Sequence, residues 1–194
     1  MPAKNLNRRA FLKSSALAAP VFEIIRPELV RGSGKAMLRA GLVGCGARGT
    51  QAAVNLLSAD SNVELVAAGD LFGDRLDLCL RQLRDPKYVQ ANVIRVSRFT
   101  GRPLEELARS VLSRVKVDPE HCFTGFDSYK KVLACDIDLV MLAAPPAYRP
   151  IHLEAAVEAR KHIFAEKPFG TDVVGVKRAM AAIRRAEQLK LTLV

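Results

Sequence analysis

From Leu38 onward, short apolar runs alternate with stretches of helical spacing, and this alternation restricts the fold more than any other feature. Residues 38–44 (LRAGLVG) read as a buried strand ending in glycine, and Thr50, Ala53, Val54 and Leu57 then recur at helical spacing. Residues 63–69 (VELVAAG) form a second apolar run ending at Asp70, and residues 75–83 read as a second helix. After an interval, Cys122-Phe123 reads as a short strand, with Asp127 expected to cap a helix through Leu133. Residues 137–143 (IDLVMLA) are a strand stopped by Ala144-Pro145-Pro146. Pro150 opens a helix expected to bury Ile151, Ala155 and Ala159. Residues 162–165 form a strand ending at Glu166-Lys167-Pro168, and Thr171 or Asp172 caps a helix with Val176, Ala179, Met180 and Ile183 on its apolar side. One more strand begins at residues 191–194. Strands joined through helices must cross over and pair in parallel. The expected fold is therefore α/β, a Rossmann-type doubly wound parallel sheet.

Residues 85–118 interrupt this order, in a fold whose connections are usually short. Pro103 is suited to start a helix there, with Glu105 and Glu106 in its first turn and Leu104, Leu107, Ala108, Val111 and Leu112 on one side. The stretch reads as an inserted helical excursion.

Charge is informative once it is located. The net charge is +10, and residues 1–35 carry seven Lys or Arg against two Glu, half of the excess. The rest is spread over many helices, so no basic face for nucleic acid is expected. No apolar run reaches the ~20 residues of a membrane span. Within the basic segment, Asn7-Arg8-Arg9-Ala10-Phe11-Leu12-Lys13 resembles a twin-arginine export signal, followed by a modest apolar stretch over 16–22. The expectation is a leader and linker over 1–36 ahead of a domain over 37–194, with export to the periplasm; a basic tail on a cytoplasmic protein is the alternative.

Cys45, Cys79, Cys122 and Cys135 show no C-x-x-C spacing and do not cluster with the three histidines, so no metal site is expected. Cys45 and Cys79 read as buried free thiols; a disulfide stays open for an exported chain.

Chemistry concentrates at Gly44-Cys45-Gly46-Ala47-Arg48-Gly49. A glycine-rich turn by itself says little, but here a strand precedes, a helix follows, and Asp70 ends the next strand 21 residues after Gly49. Gly44 permits the tight turn, Gly46 lets a pyrophosphate approach the backbone, and Gly49 permits close packing of the helix. The free N–H groups of Ala47, Arg48 and Gly49 and the positive end of the helix dipole suit phosphate. Asp70 would accept hydrogen bonds from ribose hydroxyls and repel a 2′-phosphate, which favours NAD over NADP, although Arg75 nearby is suited to accommodate that phosphate.

The pieces GLVGCGARG, the strand ending in Asp70, IDLVMLAAPP and IHLEAAVEARKHIFAEKP, in that order over residues 38–194, resemble the glucose–fructose oxidoreductase, inositol dehydrogenase and rhizopine-catabolism family (Gfo/Idh/MocA). The resemblance implies that Lys167 lies beside the nicotinamide and the reacting carbon, stabilising an alkoxide or relaying a proton. It implies that Glu166, Ala144, Pro145 and Pro146 border the nicotinamide ribose. His152 is expected to be a surface or helix-cap residue. Family members continue into an α/β domain that supplies the substrate pocket and oligomer interface, so a chain ending at Val194 is expected to lack both. It is also expected to expose sheet surface through which copies associate. Three functions remain: the NAD-binding part of an oxidoreductase acting on a sugar or polyol, a non-catalytic nucleotide-binding fragment or gene remnant, and a relative of the family's NAD-dependent glycosidases.

Overall fold

The structure, a computed structural model, describes residues 37–194, which lie within one compact unit. The leader motif lies outside the described residues. Strands β1 (Leu38–Val43), β2 (Val63–Asp70), β3 (Cys122–Thr124), β4 (Leu139–Leu142) and β5 (His162–Ala165) form a five-stranded sheet in the order β3-β2-β1-β4-β5. All pairings are parallel. Leu193 bridges Ile163 in parallel, so the last residues lie along the outer edge of β5. Parallel strands with crossovers on both faces are covered on both sides, which is why β1, β2 and β4 read as unbroken apolar runs.

Each face has its own helices. Helices α1 (Ala47–Ala59), α2 (Gly73–Arg84), α3 (Pro86–Thr100) and α4 (Leu104–Ser113) bury Val54, Leu57, Leu76, Leu83, Val93 and Leu107 in one core. Helices α5 (Ser128–Ala134), α6 (Arg149–Glu158) and α7 (Val173–Gln188) bury Val132, Leu153, Ala156, Ala179 and Ala182 in the other. The chain goes from β1 to β2 on one side of the sheet centre, and later enters β4 on the other side of β1. The carboxyl ends of β1 and β4 therefore diverge into a crevice, the place where open α/β sheets receive ligands.

Residues 85–118 contain α3 and α4, and their packing is now explicit. Asp85 caps α3 through Lys87 N, Pro103 precedes α4, and Val89, Val93, Leu107 and Val111 are fully buried against α1 and α2. Arg114 fastens the return. Its buried guanidinium donates to the carbonyls of Asp60 and Val63, both at 2.8 Å, and to that of Leu57. The last carbonyls of a helix have no partner within it, so a cation at the end of α1 supplies donors where they are missing and meets the negative end of the dipole.

One helix cap and two helix faces differ from the sequence expectation. Asp127 does not cap α5: its backbone there is not extended (φ −94°, ψ 7°), and its carboxylate instead meets Lys130 Nζ at 2.7 Å. On α6 the buried set is Arg149, Pro150, His152, Leu153, Ala156 and Val157, while Ile151 is exposed. On α7 Asp172 is the cap, accepting from Gly175 N at 2.8 Å, and Ala179 is buried as expected. Yet Ala182 and Ala186 complete the inward face, and Val176 and Met180 point outward. Close approach to α6 selected small side chains over large ones.

Replacing Arg114 with Met keeps much of the side-chain volume but strips several buried carbonyls of their donor. Each unsatisfied acceptor costs on the order of 1–3 kcal/mol. A loss of about 3 kcal/mol in unfolding free energy, measured by urea denaturation, is expected, against less than about 0.5 kcal/mol for the exposed Arg109→Met.

Candidate nucleotide site

The glycine-rich turn is built by close approaches. Gly44 has φ +95°, and a Cβ there would lie 2.3 Å from Ala144 N at the end of β4. A Cβ on Gly49 would lie 1.8 Å from the carbonyl of Gly44, so only hydrogen lets α1 start so near the strand it follows. Gly46 is different: a Cβ there would meet nothing within 4 Å. It faces an open cleft of about 480 Å³ whose lining includes Gly44, Gly46, Asp70, Arg75, Pro145 and His152. Gly46 is also the N-cap of α1; no side chain caps the helix and no acidic residue lies in its first turn. A 13-residue helix thus presents an uncapped positive end to the cleft.

Asp70 joins the turn to the next strand. Its Oδ2 accepts from Cys45 N at 2.6 Å and its Oδ1 from Phe72 N at 3.0 Å. A carboxylate offers about four acceptor positions, so both oxygens retain capacity toward the cleft. The Cys45 N–H, by contrast, is already engaged.

The remaining sequence candidates converge on the same end of the sheet. Ala47 and Arg48 are exposed in the first turn of α1, Ala144 is buried, and Pro145 and Pro146 form the loop after β4. Glu166, one residue past β5, forms an ion pair with Arg48, drawing the start of α1 and the end of β5 together. Lys167 is exposed at the end of β5, beside the lined cleft rather than within it, and is joined to Pro168 by a cis peptide.

One residue at this end, Arg149, was missed, and a second, His152, was misplaced. Arg149, 3% exposed, begins α6 and donates to the carbonyls of Ala144 and Pro168, so one guanidinium holds the loops that follow β4 and β5. Burial pushes its pKa down, and the charge of Glu166 opposes that shift. A signal existed: a cation in the first turn of a helix opposes the dipole and needs compensating partners. His152 is buried at 8% exposure, its ring 4.4 Å from that of Tyr129 and 6.1 Å from that of Tyr148. The expected surface position fails because α6 turns its His152 edge toward α5. Burial first, then the nearby Arg149 charge, hold its pKa down at about 4.

Away from the cleft, Asp118, Glu120 and His121 bring ligand atoms within 4.8 Å of one another, which the spacing of Cys and His had not suggested. Both carboxylates are exposed. Exposed acidic groups commonly lie so, and nothing else there points to an ion.

Residues 38–193 match the oxidoreductase family of Gfo/Idh/MocA, NAD-binding Rossmann fold. The chain belongs to that family. Scyllo-inositol dehydrogenase from Lactobacillus casei, solved with NAD(H) and scyllo-inositol, is similar over 81% of this chain and 36% of its own, at 24% identity and a TM-score of 0.53. KijD10, a 3-ketoreductase from Actinomadura kijaniata solved with NADP, is similar over 81% and 37%, at 23% identity and a TM-score of 0.50. The uncharacterized oxidoreductase YrbE of Bacillus subtilis is 29% identical over 97 residues, 48% of this chain and 28% of that protein. The chain thus spans 36–37% of the length of the two solved relatives and 28% of YrbE.

As the family's NAD-binding domain, the chain has features that fit the cofactor: an open Gly46, an uncapped helix start, and a carboxylate at the end of β2. Among the described residues, Arg149 Nε and His152 Nδ1 are buried without a hydrogen-bond partner, and the buried Glu166 Oε1 meets only the Arg48 guanidinium.

His152 makes a pH prediction. Its pKa falls from 6.5 in the unfolded chain to about 4 when folded, so the unfolded state binds more protons between those values. Stability due to the neutral ring is complete above pH 6.5 and is lost as pH falls toward 4. The full difference is worth about 3 kcal/mol. Denaturation at pH 7 and pH 4.5 should show the parent losing about 2 kcal/mol more than His152→Gln over that interval.

Proposed function

We propose that these residues hold NAD(H) for an oxidoreductase that moves a hydride between the nicotinamide and a sugar or polyol carbon. The observation that carries this reading is the conjunction of the open Gly46, the uncapped α1 and Asp70 on one cleft at the divergence of β1 and β4. Backbone amides of Ala47, Arg48 and Gly49 bind the pyrophosphate. Asp70, held by Cys45 N and Phe72 N, uses its remaining lone pairs for the adenosine ribose hydroxyls. Its negative charge disfavours a 2′-phosphate, and Arg75 on the same cleft works in the other direction. Pro145, Pro146 and Glu166 border the nicotinamide ribose.

NAD, when bound, supplies the hydride acceptor. Lys167 Nζ then stabilises the substrate oxygen as it gains charge, or takes its proton. Arg149 positions Lys167 indirectly, by holding the neighbouring carbonyl of Pro168. A polyol or sugar is favoured because a lysine beside the nicotinamide suits a secondary alcohol that becomes a ketone, and because a family relative was solved with scyllo-inositol.

Calorimetric titration with NADH tests the cofactor. Gly46→Val, whose Cβ projects into the cleft with no protein atom within 4 Å, should weaken binding by about tenfold or more, about 1.4 kcal/mol, while the loss of the glycine N-cap lowers the thermal midpoint only slightly. Asp70→Ala should reduce the preference for NADH over NADPH, since a hydrogen bond to a charged acceptor is worth about 1.5–3 kcal/mol. Equal or tighter NADPH binding by the parent would remove Asp70 from the role.

A second reading has its own support: these 194 residues bind the nucleotide and turn nothing over. Lys167 is exposed, and its charge is screened by water. Hydride transfer requires the donor carbon to be held about 3–3.5 Å from its acceptor, which needs a second wall to the cleft. The two readings divide on one assay. The chain with NAD and a panel of polyols and sugars is expected to produce no NADH absorbance above background; Lys167-dependent turnover near about 1 per second or faster would show that these residues, alone or paired with a copy, complete the site.

A further inference from the structure

Two phenylalanines stand open on the cleft. Phe126 is 73% exposed and Phe72 57% exposed, and both line it together with Gly46, Asp70 and Arg75. Apolar rings left in water cost free energy, and two of them on one concave surface mark a place that an apolar group covers. Their positions in the sheet are equivalent. Strands β2 and β3 pair in parallel as far as Asp70 opposite Thr124, and each phenylalanine lies two residues beyond that last pair. Gly125 N donates to the carbonyls of Asp70 at 3.1 Å and Leu71 at 3.2 Å, which ties the two loops together just before the rings. Gly125 has φ +96°, the left-handed turn by which the chain leaves β3. Phe72 N is held by Asp70 Oδ1 at 3.0 Å. Both backbones are thus fastened while both rings stay open to solvent.

The order of groups along the cleft identifies what covers them. Gly46 and the uncapped start of α1 suit phosphate, and Asp70 suits a ribose. In the sheet order β3-β2-β1-β4-β5, the rings lie past the ends of β2 and β3, on the side of β1 away from Pro145 and Pro146 after β4. In a dinucleotide laid along that line, the group attached to the ribose at Asp70 is the base. We propose that Phe72 and Phe126 hold the purine base of the dinucleotide by its flat faces and make the site tolerant of what the base carries on its edge. This inference rests on the nucleotide reading above and assigns two further residues to it.

The chemistry of the loops supports contact with faces rather than edges. Leu71, Phe72, Gly125 and Phe126 line the cleft in two tied loops, and none has a side-chain donor or acceptor to offer a base edge. Ring faces bind any base, because every base has a π-face of its own. Recognition by hydrogen bonds would instead need a polar group aimed at the edge, and it would reject a base that lacks the matching partner.

The test is calorimetric titration of the full chain with NADH, ADP-ribose and reduced nicotinamide hypoxanthine dinucleotide, in which the adenine amino group is replaced by oxygen. The variants are Phe72→Ala, Phe126→Ala, Phe126→Tyr and Phe126→Leu; both positions are exposed, and thermal unfolding checks that each variant is folded. The parent should bind NADH and the hypoxanthine analogue within about threefold of each other. Each alanine variant should bind NADH and ADP-ribose about tenfold more weakly. Phe126→Tyr, which keeps the ring, should bind as the parent does, and Phe126→Leu should fall with the alanine variant. Undiminished NADH binding by both alanine variants overturns the inference and leaves the nucleotide reading standing. So does full binding by Phe126→Leu, which would make the contact merely apolar. Loss of NADH binding with ADP-ribose unaffected would put the rings at the nicotinamide and overturn it as well. Rejection of the hypoxanthine analogue by about tenfold or more overturns it in favour of edge recognition. A parent that binds neither NADH nor ADP-ribose overturns both readings together.

Discussion

The carboxylate of Asp70 accepts from the backbone of the turn that precedes it in the chain by a whole helix and strand. That contact locks the geometry on which the cleft depends. Gly44 can take its left-handed conformation against Ala144 N only because it has no side chain. The turn keeps that conformation because Gly44 N donates to Gly69 O at 2.8 Å and Cys45 N donates to Asp70. The end of β2 therefore holds the end of β1 on one side while β4 crowds it on the other. Once three strand ends are fixed, α1 must begin in contact with Gly44 O, and its dipole is aimed at the opening. The same carboxylate that suits a ribose is thus a structural part of the phosphate-binding turn, and a substitution at Asp70 acts on both.

Strand order and helix placement were largely legible, because fully buried strands leave unbroken apolar runs such as VELVAAG and IDLVMLA. The nucleotide turn was legible for a related reason: its glycines answer backbone contacts, and those contacts follow from local spacing. Inward faces of helices were less so. Period alone places Val176 and Met180 with Ala179, yet α7 buries a stripe of alanines, Ala179, Ala182 and Ala186, since the space against α6 is narrow. The large residues left outside, Val173 at 70% and Val174 at 69% exposure among them, form an apolar surface at the start of α7. Hydropathy counts residues without knowing the distance to the neighbouring element, and here distance decides.

Arg114 and Arg149 show a second kind of illegibility. Both are buried arginines whose partners are main-chain carbonyls, remote in sequence for Arg114 and split between two loops for Arg149. Carbonyls have no sequence identity, so no pairing pattern announces such a contact. Each guanidinium compensates for burial by satisfying acceptors that the secondary structure leaves over: the end of α1 for Arg114, the loops past β4 and β5 for Arg149. His152 belongs with them, because its neutrality follows first from its burial beneath the ring of Tyr129 and then from the positive charge of Arg149.

These placements explain why the end of β5 combines a rigid base with a free tip. Glu166 is drawn to Arg48 on one side and lowers the cost of the buried Arg149 charge on the other. Arg149 in turn holds the carbonyl of Pro168. The backbone of Glu166-Lys167-Pro168 is thereby fastened to α1 and to α6, from both faces of the sheet. Lys167 itself, between two anchored neighbours, keeps its side chain in water. A residue that only stabilised the fold would bring its charge to a partner within it, as Arg48, Arg114 and Arg149 do. In the function proposed above, that fixed backbone would hold an exposed ammonium ready for a partner that arrives with the ligand.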